Sequence, residues 1–391
     1  VTPELFNALT SAVGRDLFAE LANTDLGELH TLRILTEFRK RYPADLVAAA
    51  LEVARLRIRG REKFGAAADQ MFFTRDALEQ ATDSRISRYR AALIPPGAWV
   101  ADFGCGIGGD SIALCEQHAL IALDRDTLRL RMARLNVPHP AVTFIQADLS
   151  HPLPMSLPTA AFFDPARRTA DGKRIFTLRD YQPPLFLLEG WNFPVFSKLS
   201  PGIQLEELST LSLTPHRIEF ISLNGELKEC VILTGGDLGL IGGSIATVIE
   251  ENGAIYQMSR VGEQVELSVQ SPRRYLYEPD PAVIRAGMVG DWGATINATL
   301  IDPTIAYLTG DQAIESPYAR FWEIADWLPF NLKKLRAYLR ERGVGRVTVK
   351  KRGSPLTPEE LISKLKLEGG GEERIIFLTR VQGHPAVIVG K

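Results

Sequence analysis

The sequence predicts an α/β protein in which a largely parallel sheet follows a helical domain and precedes an α+β segment. Three observations carry this. Between residues 98 and 164, short apolar runs alternate with helical patterns, which implies crossover connections between parallel strands. The first run ends in a glycine loop, Gly104-Cys105-Gly106-Ile107-Gly108-Gly109. Four successive runs carry an aspartate at their ends, namely Asp102, Asp124, Asp148 and Asp164, and open α/β sheets bind ligands at the carboxyl ends of their strands.

Residues 1–94 read as a helical domain. Leu46, Ala49, Ala50, Val53, Ala54, Leu56 and Ile58 recur at helical spacing, with Pro43 near the start and Asp45 in the first turn. Pro95-Pro96-Gly97 ends the segment. A second domain, 95–236, opens with strands expected at 99–103, 120–124, 142–148 and 160–164, and helices at 111–116 and 127–135. After Ser200-Pro201-Gly202 the chain turns β-rich. Runs at 217–223 and 227–233 flank Asn224-Gly225, a hairpin signal. Gly235-Gly236 and Gly242-Gly243 mark a boundary, 237–270 reads as a β-hairpin connector turning at Asn252-Gly253, and 271–391 as a separate α+β domain.

Bulk properties exclude several classes. The 391 residues are 45% apolar and 24% charged, ordinary for a globular chain with material for two or three domains. A net charge of −2 gives no global attraction to nucleic acid, so such a role needs a local patch. Three cysteines, Cys105, Cys115 and Cys230, lack CxxC spacing and argue against a disulfide framework or a zinc site; they suit a reducing, cytoplasmic compartment. No stretch approaches a membrane span, and no secretory signal is expected from the start of the sequence. His118, His139, His151, His216 and His384 show no ligand spacing, so no metal is expected.

The glycine loop also satisfies the dinucleotide pattern GxGxxG, and Asp124, 20 residues after Gly104, suits a ribose diol in either kind of cofactor. The acids decide between them. Asp102 stands before the first glycine, where a second carboxylate would repel a pyrophosphate. It would suit a phosphate-free adenosyl donor with a cationic sulfonium and ammonium, through charge-assisted contacts. Asp148, in Gln-Ala-Asp-Leu, is placed to accept from an adenine amino group, and Phe163-Asp164-Pro165 lies where an acceptor would sit. A tight turn alone would explain the glycines but not an acid at each strand end.

Residues 101–110, 122–126, 146–149 and 163–165 resemble motifs one to four of the class I S-adenosylmethionine-dependent methyltransferases. The resemblance implies a Rossmann-like seven-stranded sheet over roughly 98–234. It also implies that Asp102, Gly104, Cys105, Gly106 and Gly108 hold the methionine end, Asp124 the ribose and Asp148 the adenine, with Arg125, Leu149 and Asp164 completing the cofactor set. A narrower resemblance extends along the chain. Asp164-Pro165-Ala166-Arg167-Arg168, Lys198-Leu199-Ser200-Pro201-Gly202, Gly225-Glu226-Leu227-Lys228-Glu229, Tyr275-Leu276-Tyr277-Glu278-Pro279, Ile284-Arg285-Ala286-Gly287 and Val349-Lys350-Lys351-Arg352-Gly353 are similar to a bacterial methyltransferase family with a C-terminal THUMP-like domain. That domain would occupy 271–391.

On the acceptor side, Asp164 is the candidate base or orienting carboxylate, Pro165 shapes the loop, and Arg167 completes the expected catalytic set. A loop cap is the bland alternative for Asp164, and a solvated loop for Arg167 and Arg168. Base N-methyltransferases usually carry an aromatic ring after the proline, and here Ala166 follows. Phe72, Phe73 or Tyr181 would have to supply a ring from elsewhere.

Between residues 331 and 352 stand nine basic residues and one acid, Glu341. Lys333, Lys334, Arg340, Lys350, Lys351 and Arg352 are the candidate RNA contacts, because a phosphate backbone rewards clustered cations. THUMP domains bind structured RNA, often transfer RNA, which points the same way. Pairing with acids such as Glu359, Glu360, Glu372 and Glu373 is the alternative. Arg55, Arg57, Arg59, Arg61 and Lys63 would extend the patch. The reading is thus an S-adenosylmethionine-dependent RNA methyltransferase. The alternatives are a small-molecule or protein methyltransferase, and a non-catalytic RNA-binding protein retaining the cofactor fold.

Overall fold

The computed structural model describes residues 2–151, 156–166 and 177–391, which divide into two compact units. The first holds Val1–His216 and Val231–Leu240, the second Arg217–Cys230 and Ile241–Lys391.

The first unit begins with six helices: α1 (Pro3–Thr10), α2 (Ala12–Leu21), α3 (Thr31–Phe38), α4 (Ala44–Phe64), α5 (Arg75–Gln80) and α6 (Ser84–Ala91). Their starts are chemically marked. Thr2, Ser11, Thr74 and Asp83 each accept a backbone N–H at a helix N-terminus. α4 follows Pro43 and stops at Gly65, whose φ of +57° a side chain would resist. Its alanine-rich flank buries Ala49, Ala50, Val53 and Ala54 against Leu9, Leu17, Leu21, Ile34 and Phe38. Small residues let these helices close; truncating a leucine such as Leu17 should cost about 2–5 kcal/mol. Ile58, expected on the buried stripe, is instead 51% exposed, because it falls on the opposite side of α4 from Leu56 and Gly60.

The first unit continues with β1 (Trp99–Phe103), α7 (Gly109–Leu114), β2 (Ala119–Asp124), α8 (Thr127–Asn136), β3 (Val142–Gln146), β4 (Ala160–Phe163), β5 (Val195–Leu199) and α9 (Glu206–Thr210). β1, β2, β3, β4 and β5 pair in parallel in the order β3-β2-β1-β4-β5. The order reverses between β1 and β4, and this switch point is where the glycine loop and Asp164 emerge. β1 and β2 end where expected, whereas β3 and β4 stop at Gln146 and Phe163, short of the expected Asp148 and Asp164. β1 runs one residue past Asp102, and Asp148 and Asp164 lie just beyond β3 and β4.

The second unit begins with β6 (Arg217–Leu223) and the start of β7 (Glu226–Thr234), joined through Asn224 and Gly225, both at positive φ as a type I′ hairpin turn requires. β8 (Gly243–Ile249) pairs in parallel with β6 and antiparallel with β9 (Ile255–Arg260). There follow β10 (Tyr275–Pro279), α10 (Pro281–Arg285), α11 (Val289–Thr295), β11 (Thr299–Asp302), β12 (Ile305–Gly310), β13 (Ala319–Pro329), α12 (Leu332–Glu341), β14 (Val344–Lys351), α13 (Pro358–Leu365), β15 (Glu372–Val381) and β16 (His384–Gly390). They build a seven-stranded sheet in the order β11-β12-β10-β13-β16-β15-β14. α12 and α13 cover one part of it through Leu335, Leu339, Leu361 and Leu365, while Tyr307, Phe377 and Ile388 form a second core. Among the described residues no helix is long and apolar enough to cross a membrane.

Candidate cofactor and acceptor site

The glycine loop is tied to the next strand by its own backbone. The amides of Gly104 and Cys105 both donate to the Leu123 carbonyl at 2.9 Å. The Gly106 amide donates to Asp124 Oδ2 at 2.8 Å, and Asp126 N donates to Asp124 Oδ1 at 2.8 Å. Gly104, Gly106 and Gly108 all have positive φ. The space around them differs. A Cβ on Gly108 would lie 2.7 Å from Val137 Cγ2, and one on Gly104 would lie 3.1 Å from the Asp164 carbonyl oxygen. A Cβ on Gly106 would meet nothing within 4 Å. Gly106 therefore presents open backbone beside a carboxylate, the arrangement an adenosyl ligand without phosphate can use. Asn136 braces the loop from behind, donating to the carbonyls of Ile107 at 2.9 Å and Phe72 at 3.1 Å.

The four aspartates have different surroundings. Asp102 is 2% exposed, turns into the core and accepts from Ser111 Oγ on α7. Burial, with Asp110 nearby, pushes its carboxyl up to about 7. It ties the end of β1 to α7 directly below the glycine loop. Asp124 is largely buried, and that burial raises its carboxyl. Asp148 is exposed and held below the ordinary carboxylate range by hydrogen bonds from the Ser150 hydroxyl and amide. Its neighbour Leu149 is buried, and Arg125 is exposed beyond Asp124. Cys105 is buried, which pushes its thiol up.

Asp164 follows β4, with its amide donating to the Phe103 carbonyl at 3.2 Å. Its Oδ2 accepts from Lys198 Nζ at 2.8 Å. Lys198 lies on β5 and is 4% exposed, a partner that sequence reasoning did not single out. The same ammonium donates to Thr82 Oγ1 at 2.9 Å and to the Gln80 carbonyl at 3.3 Å. Thr82 passes the chain on, donating to Asp110 Oδ2 at 3.3 Å. Asp110 also accepts from Ser87 Oγ at 2.6 Å and pairs with Arg90, which is 2% exposed. Burial works to raise the Asp110 carboxyl, but Arg90 and Lys198 outweigh it and hold it below the usual range. Pro165 is buried behind Asp164, while Arg167 and Arg168 lie outside the described residues.

The rings named as base-stacking candidates are committed elsewhere. Phe73 and Tyr181 are fully buried, and Phe72 packs edge-on against Phe6 and Phe18 beneath Arg57. Trp191 is a half-buried ring near the strand ends, over Phe103 and Phe163 at centroid distances of 5.0 and 5.5 Å.

The basic candidates of the second unit divide into two groups. Lys333, Lys334 and Arg340 are exposed on α12, and Lys351 is exposed at the end of β14. Lys350 and Arg352 are not free. Both pair with Glu278 on β10, Lys350 lies 4.4 Å from the Trp322 ring centroid, and Arg352 donates to the Ala306 carbonyl at 3.1 Å. They are half-buried and held by β10. Four of the five leader cations have partners within the first unit: Arg55 donates to the Leu26 and Gly27 carbonyls, Arg57 to that of Met71, Arg61 pairs with Asp69, and Lys63 donates to the Leu78, Glu79 and Ala81 carbonyls, while Arg59 is exposed. Among the described residues, no group of three or more His, Cys, Asp or Glu could hold a metal ion.

The chain is 33% identical over 344 residues to an uncharacterized S-adenosylmethionine-dependent methyltransferase of Mycobacterium tuberculosis, covering 85% of this chain and 92% of that protein. A solved protein of Porphyromonas gingivalis W83, assigned as a methyltransferase, superposes with a TM-score of 0.70 at 23% identity, over 89% of this chain and 91% of that one. Residues 319–391 match the family described as THUMP domain-like, and residues 2–60 match a domain of unknown function.

Proposed function

This chain belongs to the S-adenosylmethionine-dependent methyltransferases, with a Rossmann-like catalytic core and a C-terminal THUMP-like domain, and from that premise we propose that it methylates structured RNA, such as transfer RNA, in the cytoplasm. S-adenosylmethionine, when bound, supplies an electrophilic methyl group on a sulfonium. The residues present fit it. Gly106 leaves open space beside Asp124, whose remaining lone pairs would accept from ribose hydroxyls. The loop from Gly104 through Cys105 to Gly108 would line the methionine end, with Asp102 supporting it. Asp148 and Leu149 would border the adenine, and Arg125 its outer edge. Asp164 and Pro165 would face the methyl acceptor, with the carboxylate accepting a hydrogen bond from it and so fixing its orientation. Arg167, next in sequence, would join them.

One observation carries the RNA assignment: the exposed cations of α12, Lys333, Lys334 and Arg340, with Lys351 at the end of β14, all lie inside the THUMP-like match. A phosphate backbone is the partner that such a cluster serves. Lys350 and Arg352 contribute to the stability of that domain. Free, buried cysteines at Cys105, Cys115 and Cys230 support the cytoplasmic location. The test is mass spectrometry of nucleosides from a strain lacking the protein. A methylated nucleoside should be missing, and should return when that RNA is incubated with purified protein and S-adenosylmethionine. An unchanged nucleoside profile would overturn the RNA assignment.

A further inference from the structure

An ammonium buried to 96% is costly unless its hydrogen bonds are met, and Lys198 meets three with three different kinds of acceptor. The carbonyl of Gln80 and the hydroxyl of Thr82 come from the helical leader. The third acceptor, Asp164 Oδ2, comes from the loop where the methyl acceptor is expected. Two of the three ligands therefore fix the ammonium, and the ammonium fixes one oxygen of the carboxylate. The other oxygen of Asp164 has no partner among the described residues, and the side chain is 31% exposed. A carboxylate anchored through one oxygen by a buried ammonium has its rotation restrained.

The network behind Lys198 strengthens this. Thr82 accepts from Lys198 and donates to Asp110, so its hydroxyl proton direction is set by both neighbours. Asp110 stands in the first turn of α7, directly after the glycine loop, and is held by Arg90 and Ser87 of α6. The charges alternate: Asp164, Lys198, Asp110, Arg90. The chain thus links the loop expected to hold the donor to the carboxylate expected to orient the acceptor.

We propose that Lys198 is a positioning residue for methyl transfer, holding Asp164 in the rotamer that receives the acceptor, and that Gln80 and Thr82 make the helical leader part of that site. The inference rests on the methyltransferase assignment and on the placing of Asp164 beside the acceptor. It does not rest on the acceptor being RNA.

The experiment separates the two. An extract from cells lacking the protein is divided into RNA, protein and small-molecule pools, and S-adenosylhomocysteine release is measured on each with the wild type. Turnover outside the RNA pool would refute the RNA reading and leave this inference intact. On whichever pool supports turnover, Lys198→Met, Lys198→Arg and Thr82→Val are then compared. A misdirected orienting group commonly costs about a hundredfold in rate. The expected result is a loss in kcat of at least about thirtyfold for Lys198→Met, with KM for S-adenosylmethionine within about twofold, partial recovery in Lys198→Arg, and a smaller loss in Thr82→Val. If Lys198→Met proves unfolded, Thr82→Val alone decides, since it removes one of three ligands and keeps the ion pair. A variant set that loses melting temperature but keeps kcat would make the pair purely structural and overturn the proposal.

Discussion

Gly106 N lies 2.8 Å from Asp124 Oδ2, so one of the three hydrogen bonds joining the loop after β1 to the end of β2 falls at the point where the backbone is open. The carboxylate has a second tie, to Asp126 N. Replacing Asp124 with alanine removes both, and should weaken S-adenosylmethionine binding by at least about tenfold, or roughly 1.4 kcal/mol. Isothermal titration calorimetry checks this, with circular dichroism to show that the fold remains. Unchanged affinity would remove Asp124 from the ribose site.

Two glycines in the same loop should respond oppositely to one added methyl. Both sit in left-handed backbone, where a side chain costs about 1–2 kcal/mol. Gly106→Ala projects its methyl into open space, so binding should suffer far more than stability. Gly108→Ala drives a methyl into Val137, which is buried, so stability should fall further while the loop's outer surface keeps its shape. Melting curves and cofactor titrations on the pair distinguish these outcomes.

Asp102 sets a pH dependence. Its carboxyl is near 3.8 in the unfolded chain and about 7 in the folded one, so between those values the folded state binds the extra proton. Stability on this account is greatest below about pH 4 and declines as pH rises toward 7, by on the order of 4 kcal/mol at most. Asp102→Asn should flatten that part of the curve. Urea unfolding from pH 4.5 to 8 on both proteins measures the difference; parallel curves would mean that the folded carboxyl is not raised.

The division among the basic residues predicts two phenotypes. Changing Lys333, Lys334 and Arg340 together to alanine should weaken transfer RNA binding and reduce the slope of log affinity against log salt by about 2. Lys350→Ala should instead leave Glu278 without its closer cation and lower the melting temperature by about 2–4 °C, with little change in salt slope. Filter binding across a salt series, with thermal melts, tests both.

The sequence made the glycine loop, the parallel strands and the hairpin at Asn224-Gly225 readable, because each depends on neighbours in the chain. Asp102 was readable as a strand-end acid but not as a buried one, since which face of β1 it takes depends on α7 packing over it. Lys198 escaped for a different reason: lysines are normally solvated, and its partners lie 34 and 116 residues away. Lys350 and Arg352 looked like part of one positive run, but strand alternation turns Lys350 and Lys351 to opposite faces, and Glu278 on β10 claims Lys350 and Arg352. Arg55, Arg57 and Lys63 misled in the same way, because carbonyls left open at turns and helix ends attract cations that composition counts as surface charge, and Arg61 is claimed by Asp69.

Lys63 lends the end of α5 an ammonium for three carbonyls, and the residues just beyond, Gln80 and Thr82, go on to hold Lys198. A recombinant fragment cut to begin at β1 would therefore leave Lys198 with Asp164 as its one remaining partner of the three, and Asp110 without Ser87 and Arg90. In any engineered chimera the helices from α4 to α6 have to travel with the sheet as one cassette, whereas an exchange confined to α1–α3 would spare these ligands.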